Sequence, residues 1–258
     1  MTATDANPAF RILLIVSRPL DQPDLPHLGD QWSLINGLKA VNAHAYLKIL
    51  RPPTIEQLRT EVLAGYQIVH FDGHGDFGIC CPNCGMLHDK STKKCDRCSA
   101  SLERLKEGGY LAFEREDGAL ESLSSQDLAE IVAYPDYSTR LVILSACKSA
   151  AGDENSILQT LVNKGIPTVL GMKDTIPAKA TQAFFKPFYA ALGKGTPISN
   201  AFNTALPTLK HFDEATKLNE IPSLEEIRRM PSSLRANMRV ERSQPIPICF
   251  MACLITSS

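Results

Sequence analysis

The sequence predicts an α/β protein: a mainly parallel sheet flanked by helices and interrupted by a small cysteine-rich insertion. Three observations lead there. The runs Arg11–Ser17, Gln67–Phe71, Leu141–Ser145 and Pro167–Met172 are apolar at successive positions, as strands covered on both faces of a parallel sheet are. Stretches with helical periodicity fall between them. Five of the eight cysteines crowd between Cys80 and Cys98.

The elements follow in order. Arg11–Ser17 reads RILLIVS, a buried strand, and the region Trp32–Val41 reads as helix. Ala45–Leu50 alternates into a second strand that Pro52-Pro53 ends. Thr54 and Gln57 form a capping box, with Ile55, Leu58 and Val62 along one face of the helix they start. Gln67–Phe71 is the third strand, stopped by Asp72-Gly73-His74-Gly75. Beyond the cysteines, Tyr110–Leu123 reads as a hairpin turning at Asp117-Gly118. Helices are expected over Gln126–Val132 and Asn155–Asn163, on either side of the strand Leu141–Ser145, with Pro167–Met172 the next strand. Pro177 suits the first position of a helix whose stripe Ala180, Phe184, Phe188 and Leu192 stops at Gly193. Another helix covers about Ile198–Lys210. Residues 211–240 are less periodic, with a capped helix implied by Ser223 and Glu226, and Ile248–Ile255 closes as a strand containing Cys249 and Cys253 as packing residues.

Composition excludes several classes. At 258 residues, 17 Pro and 15 Gly are ordinary for a folded chain, so collagen-like and disordered readings fall away. No apolar run is long enough to span a bilayer as a helix. Thr2-Ala3-Thr4-Asp5 after Met1 supplies neither a basic nor an apolar leader region, so the expected location is cytoplasmic. A formal net charge of −1 exerts no general pull on nucleic acid or anionic lipid.

Cys81-x2-Cys84 and Cys95-x2-Cys98 are two knuckles ten residues apart. Each can offer two thiolates to one metal, and together they complete a tetrahedral four-cysteine shell, which points to a structural Zn²⁺. The segment is too polar to build its own apolar core, so the metal would supply most of its folding free energy. Cys80 and His88 are spare donors. Cys81 to Glu107 holds six Lys/Arg and four Asp/Glu, a surplus of two that a Zn²⁺ with four thiolates, carrying two negative charges, would cancel. A nucleic-acid footprint is therefore not indicated.

His74 and Cys147 each stand just beyond a predicted strand. Ligands of open α/β sheets bind outside the carboxyl ends of the strands, so parallel neighbours would bring imidazole and thiol to one rim. Histidine can hold the thiol proton while the thiolate attacks a carbonyl, and Gly73 and Gly75 allow a sharp turn with amide N–H groups near a developing oxyanion. His70, alternating with Phe71, is expected in the core. Asp72 either touches substrate or orients the turn.

Val69-His70-Phe71-Asp72-Gly73-His74-Gly75 and Leu141-Val142-Ile143-Leu144-Ser145-Ala146-Cys147-Lys148-Ser149-Ala150 resemble the two signature blocks of CHAT-domain peptidases, caspase-like members of the caspase–separase clan. The likeness continues through Arg11–Pro19, Leu50–Thr54, Gly165–Met172 and Ala183–Leu192, leaving 80–107 and 211–240 as insertions in a single domain over 1–258. The resemblance implies a caspase-like fold and a Cys–His dyad, with His74 and Cys147 in the catalytic positions and the backbone N–H groups of Gly75 and Cys147 as oxyanion donors. It implies a cysteine endopeptidase acting on protein substrates, governed by a regulatory sensor chain or a fused domain outside these residues, often in bacterial antiviral defence. Where many relatives carry an acidic residue near the start of a helix, this chain has Pro177-Ala178; Asp174, a few residues earlier, is the expected substrate-pocket carboxylate together with Asp72, favouring a basic side chain before the scissile bond, unless Asp174 caps the helix near Pro177 and leaves a neutral pocket for an apolar or small residue. Only residues 148–166 separate Cys147 from the next strand, so activity as an uncut chain is expected. The competing function is a non-catalytic interaction module that works through the zinc knuckle.

Overall fold

Chain order alternates strand and helix, and side chains alternating along each strand send apolar residues to both faces, so both need helical cover. The computed structural model describes residues 10–25, 29–133, 138–173, 177–209 and 252–256. Strands β1 (Phe10–Val16), β2 (Ala45–Leu50), β3 (Ile68–Asp72), β8 (Leu141–Ser145) and β9 (Thr168–Met172) run parallel, and β10 (Ala252–Thr256) adds to β9 antiparallel. Their order across the sheet is β10-β9-β8-β3-β1-β2. The expected mainly parallel α/β sheet is present, with helices on both faces.

Alternation sorts the side chains. Leu13, Ile15, Val69, Phe71, Val142 and Leu144 point to one face, where α2 (Ile55–Val62), α3 (Ser125–Val132) and α4 (Ile157–Asn163) cover them. Ile12, Leu14, Ile68, Ile143 and Leu170 point to the other, under α1 (Gly29–Ala40), α5 (Ala178–Gly193) and α6 (Ile198–Ala205). Helix starts follow the capping logic: Thr54 Oγ1 accepts the Gln57 N–H at 3.1 Å and Ser156 Oγ accepts that of Gln159 at 3.0 Å. Pro177 sits one position earlier than expected, as the N-cap with extended ψ of 133°, so the first helical residue is Ala178.

The expected hairpin at Asp117-Gly118 forms from β6 (Gly108–Glu114) and β7 (Leu120–Ser124). It does not stand alone. Residues read as a turn running into the cysteines form β4 (Gly75–Cys80), which pairs with β6, and β5 (Leu87–His88) pairs with β4. This second sheet, β5-β4-β6-β7, carries the cysteine segment. Residues 211–240, Asp174 and Cys249 lie outside the described residues; Cys253 lies on β10 opposite Gly171.

From β1 the chain moves outward to β2, then returns to the other side of β1 as β3. The connections leaving β1 and β3 therefore diverge, and in open α/β sheets such a switch point opens a crevice at the strand ends. Among the described residues, no helix is long and apolar enough to cross a membrane.

Candidate active site and cysteine cluster

The strand register places the two chemistry-bearing residues at matched positions. Asp72, the last residue of β3, pairs with Ser145, the last of β8. His74 and Cys147 each come two residues later, past the same rim. The Gly73 N–H donates to the Ser145 carbonyl at 3.2 Å, so the hydrogen bonding between the chains continues into the two turns.

Gly75 lets the turns meet. A Cβ there would lie 2.8 Å from both Ala146 Cβ and the Cys147 carbonyl oxygen, closer than any real Cβ contact permits. Lys148 takes φ of 54°, so the chain bends sharply after the thiol. The bend is then anchored: Ser149 Oγ donates to the Leu144 carbonyl at 3.2 Å and accepts the Met172 N–H at 2.9 Å, and the Ala150 N–H donates to the Met172 carbonyl at 2.8 Å. Lys148 Nζ lies 2.8 Å from Asp76 Oδ1, linking the thiol turn to β4.

His74 Nε2 donates to the Pro23 carbonyl at 2.8 Å. A carbonyl can only accept, so Nε2 carries a proton and Nδ1 is the nitrogen left with a lone pair in the neutral ring. Among the described residues no hydrogen bond joins His74 to Cys147, whose thiol is half-buried. Pro23 was not anticipated; its contribution is a backbone carbonyl in a loop, which leaves no side-chain signal.

A cavity of about 60 Å³ opens beside the thiol, lined by Cys147, Arg18, Asp30, Asp72 and Met172 among others. Asp72 Oδ1 pairs with Arg18 Nη2 at 2.9 Å, and its Oδ2 accepts the Asp30 N–H at 3.0 Å. Burial and the neighbouring Asp30 charge push the Asp72 carboxyl above its usual value, while the Arg18 guanidinium pulls the other way. His70 is fully buried as expected and hydrogen-bonded: Nδ1 meets the Tyr189 hydroxyl at 2.7 Å and Nε2 meets Asp30 Oδ2 at 3.2 Å. Arg18 and Asp30 were missed at the sequence level. Arg18 had a readable signal, being a charged residue at the carboxyl end of a central strand.

The four knuckle cysteines come together. Cys81, Cys84, Cys95 and Cys98 hold their Sγ atoms within 4.8 Å of one another, close enough to bind a metal ion. The chemistry of the set fits a metal. Despite burial, the backbone N–H groups of Asn83 and Cys84 and the thiols of Cys98 and Cys95 bring Cys81 down to about 6. Against the Ala100 N–H, the thiol of Cys81, burial and the thiols of Cys95 and Cys84 push Cys98 up to about 12. Thiols so crowded hold their protons unequally, and a cation at the centre would relieve them all. Cys80 stands apart, with its Sγ 3.5 Å from the Gly85 carbonyl. His88 leans on the cluster, Nε2 lying 3.3 Å from Cys95 Sγ and Nδ1 3.6 Å from the Asp96 carboxylate, in the manner of an outer hydrogen-bond partner.

No match was found among curated proteins. One solved structure, the pyridoxal kinase from Staphylococcus aureus in complex with pyridoxal, is similar at 12% sequence identity and a TM-score of 0.34, over 77% of this chain and 86% of that one; a likeness so slight bears on neither fold nor chemistry. The family model of the CHAT domain matches residues 3–224. That span holds both strand-end turns and all four clustered cysteines, and the chain belongs to the CHAT-domain family, a caspase-like cysteine protease family.

Proposed function

We propose that the chain is a cysteine endopeptidase in which Cys147 is the nucleophile and His74 the proton carrier. The observation that carries this reading is the matched placement of the two residues, each two positions past the paired strand ends Asp72 and Ser145, with their turns in contact at Gly75. The Cys147 proton passes to His74 Nδ1 as the sulfur attacks the scissile carbonyl carbon, and the C=O electron pair moves onto oxygen. The backbone N–H groups of Gly75 and Cys147 receive that oxyanion. Collapse breaks the C–N bond, the imidazolium gives its proton to the leaving amine, and water hydrolyses the thioester. The Pro23 carbonyl holds the ring tautomer through Nε2–H.

That no hydrogen bond joins His74 to Cys147 among the described residues fits an enzyme whose dyad tightens when substrate or a partner arrives, as catalytic hydrogen bonds often do. A regulatory sensor chain or fused domain, within bacterial antiviral defence, is the partner this reading assigns. Cutting the chain is not required. Residues 148–166 form the thiol turn, a single 3-10 turn and α4, whose Ile157, Leu158 and Leu161 are buried.

The pocket beside Cys147 favours a basic side chain before the scissile bond. Two carboxylates, Asp30 and Asp72, share the cavity with one guanidinium, and an incoming cation would relieve the Asp72 charge that burial and Asp30 disfavour. Asp174 is part of this proposal as a further pocket carboxylate. The cysteine cluster takes Zn²⁺: four thiolates close its shell and leave no position for water or substrate, so the ion holds structure and takes no part in the reaction.

A randomised decapeptide library incubated with the zinc-loaded chain tests this reading. Cleavage should follow Lys or Arg, and Cys147→Ala should abolish it while leaving the fold intact. Cleavage that persists in Cys147→Ala would refute the assignment.

A further inference from the structure

A second cavity, about 710 Å³, opens on the outer side of the histidine turn. Its lining includes His74, then Tyr110 and Leu120 from the β6–β7 hairpin, and finally Met86 and Arg97 from the cysteine knuckle. The knuckle is fixed in this position. β5 is paired to β4 through Ile79↔His88 and Cys80↔Leu87, and Ser122 Oγ donates to the Gly85 carbonyl at 3.5 Å. β4 runs without interruption from the residue after His74 to the residue before Cys81, a span of six residues and roughly 20 Å. A polypeptide lying extended along β4 from the scissile bond would thus meet the knuckle about six residues away.

Charge on this cleft is mostly committed. Asp76 pairs with Lys148 and Arg115 with Asp117, each at 2.8 Å, and Asp21 Oδ1 accepts the Leu120 N–H at 2.8 Å. Arg97 is exposed and makes no ion pair with the described residues. Met86, on the same wall, is 39% exposed. Such a wall offers one apolar contact and one uncommitted cation to whatever occupies the cleft. Because the cleft contains His74, the endopeptidase reading assigns the chain being cut as its occupant.

We propose that the metal knuckle is a specificity wall of the substrate cleft: Met86 and Arg97 read an apolar and an acidic side chain of the polypeptide substrate several residues from the scissile bond. The inference rests on the endopeptidase reading and gives the knuckle a task beyond folding. Its metal fixes the backbone that carries both side chains and touches no substrate.

Two decapeptide pools test it, one with Glu and one with Lys fixed five to seven residues from the cleavage position, on either side. Wild type should cut the Glu pool about three- to fivefold faster, the scale of an exposed ion pair. Arg97→Glu should reverse the preference and Arg97→Gln should erase it, with zinc content unchanged in the variant scored. An identical Glu preference in wild type and both variants, or no preference in wild type, overturns the inference. An electrophilic tripeptide, too short to reach the knuckle, separates the two readings. If it labels Cys147 while the pools show no Arg97 effect, only the knuckle inference fails; if it does not label Cys147, the endopeptidase reading fails and takes the inference with it.

Discussion

His74 stands between two regions stabilised by different means. On one side, β3 and its parallel neighbours bury Phe71, Leu144, Ile143 and Leu14 between two helical layers. On the other, the knuckle gathers only Ile79, Cys81, Cys95 and Leu102 as fully buried hydrophobics, with Cys84 and Ala100 packed against them. Half of that small cluster is sulfur. Cohesion in the sheet is spread over many contacts, so one truncation such as Leu144→Ala costs about 2–5 kcal/mol and leaves the rest standing. On the proposed metal reading, cohesion in the knuckle is concentrated in one ion, worth about 10–16 kcal/mol in small zinc-binding peptides. That reading makes the rim a part that tolerates local damage joined to a part that responds all-or-none to metal.

Stripping the metal should perturb the knuckle and spare the sheet. With a strong chelator, or in Cys81→Ser/Cys98→Ser, amide hydrogens of 81–102 should lose protection by several orders of magnitude while those of β1, β3 and β8 keep theirs. Joint loss of protection in both regions would mean they fold as one unit, and retained knuckle protection without metal would remove the ion from its stability.

A smaller effect is expected where the two regions join. Gly75→Ala places a methyl against Ala146 and the Cys147 carbonyl, and overpacking of this kind costs about 1–3 kcal/mol. Thermal unfolding should show a melting temperature lowered by several degrees, with zinc content unchanged. An unshifted melting temperature would mean that the turns are not in close contact at this glycine.

The parallel sheet was legible because β1, β3, β8 and β9 are short apolar runs without a polar face, a pattern that few other structures accommodate. The strand-end positions of His74 and Cys147 and the gathering of four cysteines followed from sequence just as directly, since each depends on local spacing. What escaped depends on distant pairing. β4 reads Gly-Asp-Phe-Gly-Ile-Cys, with two glycines and little alternation, and only its partner β6 makes it a strand. Asp30 falls before the helix expected over Trp32–Val41 and carries no motif of its own; its contacts with Asp72 and His70 come from residues about forty positions away. His70 illustrates the same limit, since alternation placed it inside but could not name Tyr189 and Asp30 as its partners.

Activation of Cys147 by His74 is read from the rate at which an electrophilic peptide carrying a basic residue labels Cys147 at neutral pH in wild type and in His74→Ala. A thiol with a reference pKa of about 8.5 is mostly protonated there and reacts slowly unless a base takes its proton. Labelling at Cys147 is expected in wild type, slowed about a hundredfold or more in His74→Ala, with both proteins equally folded and equally zinc-loaded. Equal, slow labelling in the two proteins would contradict it.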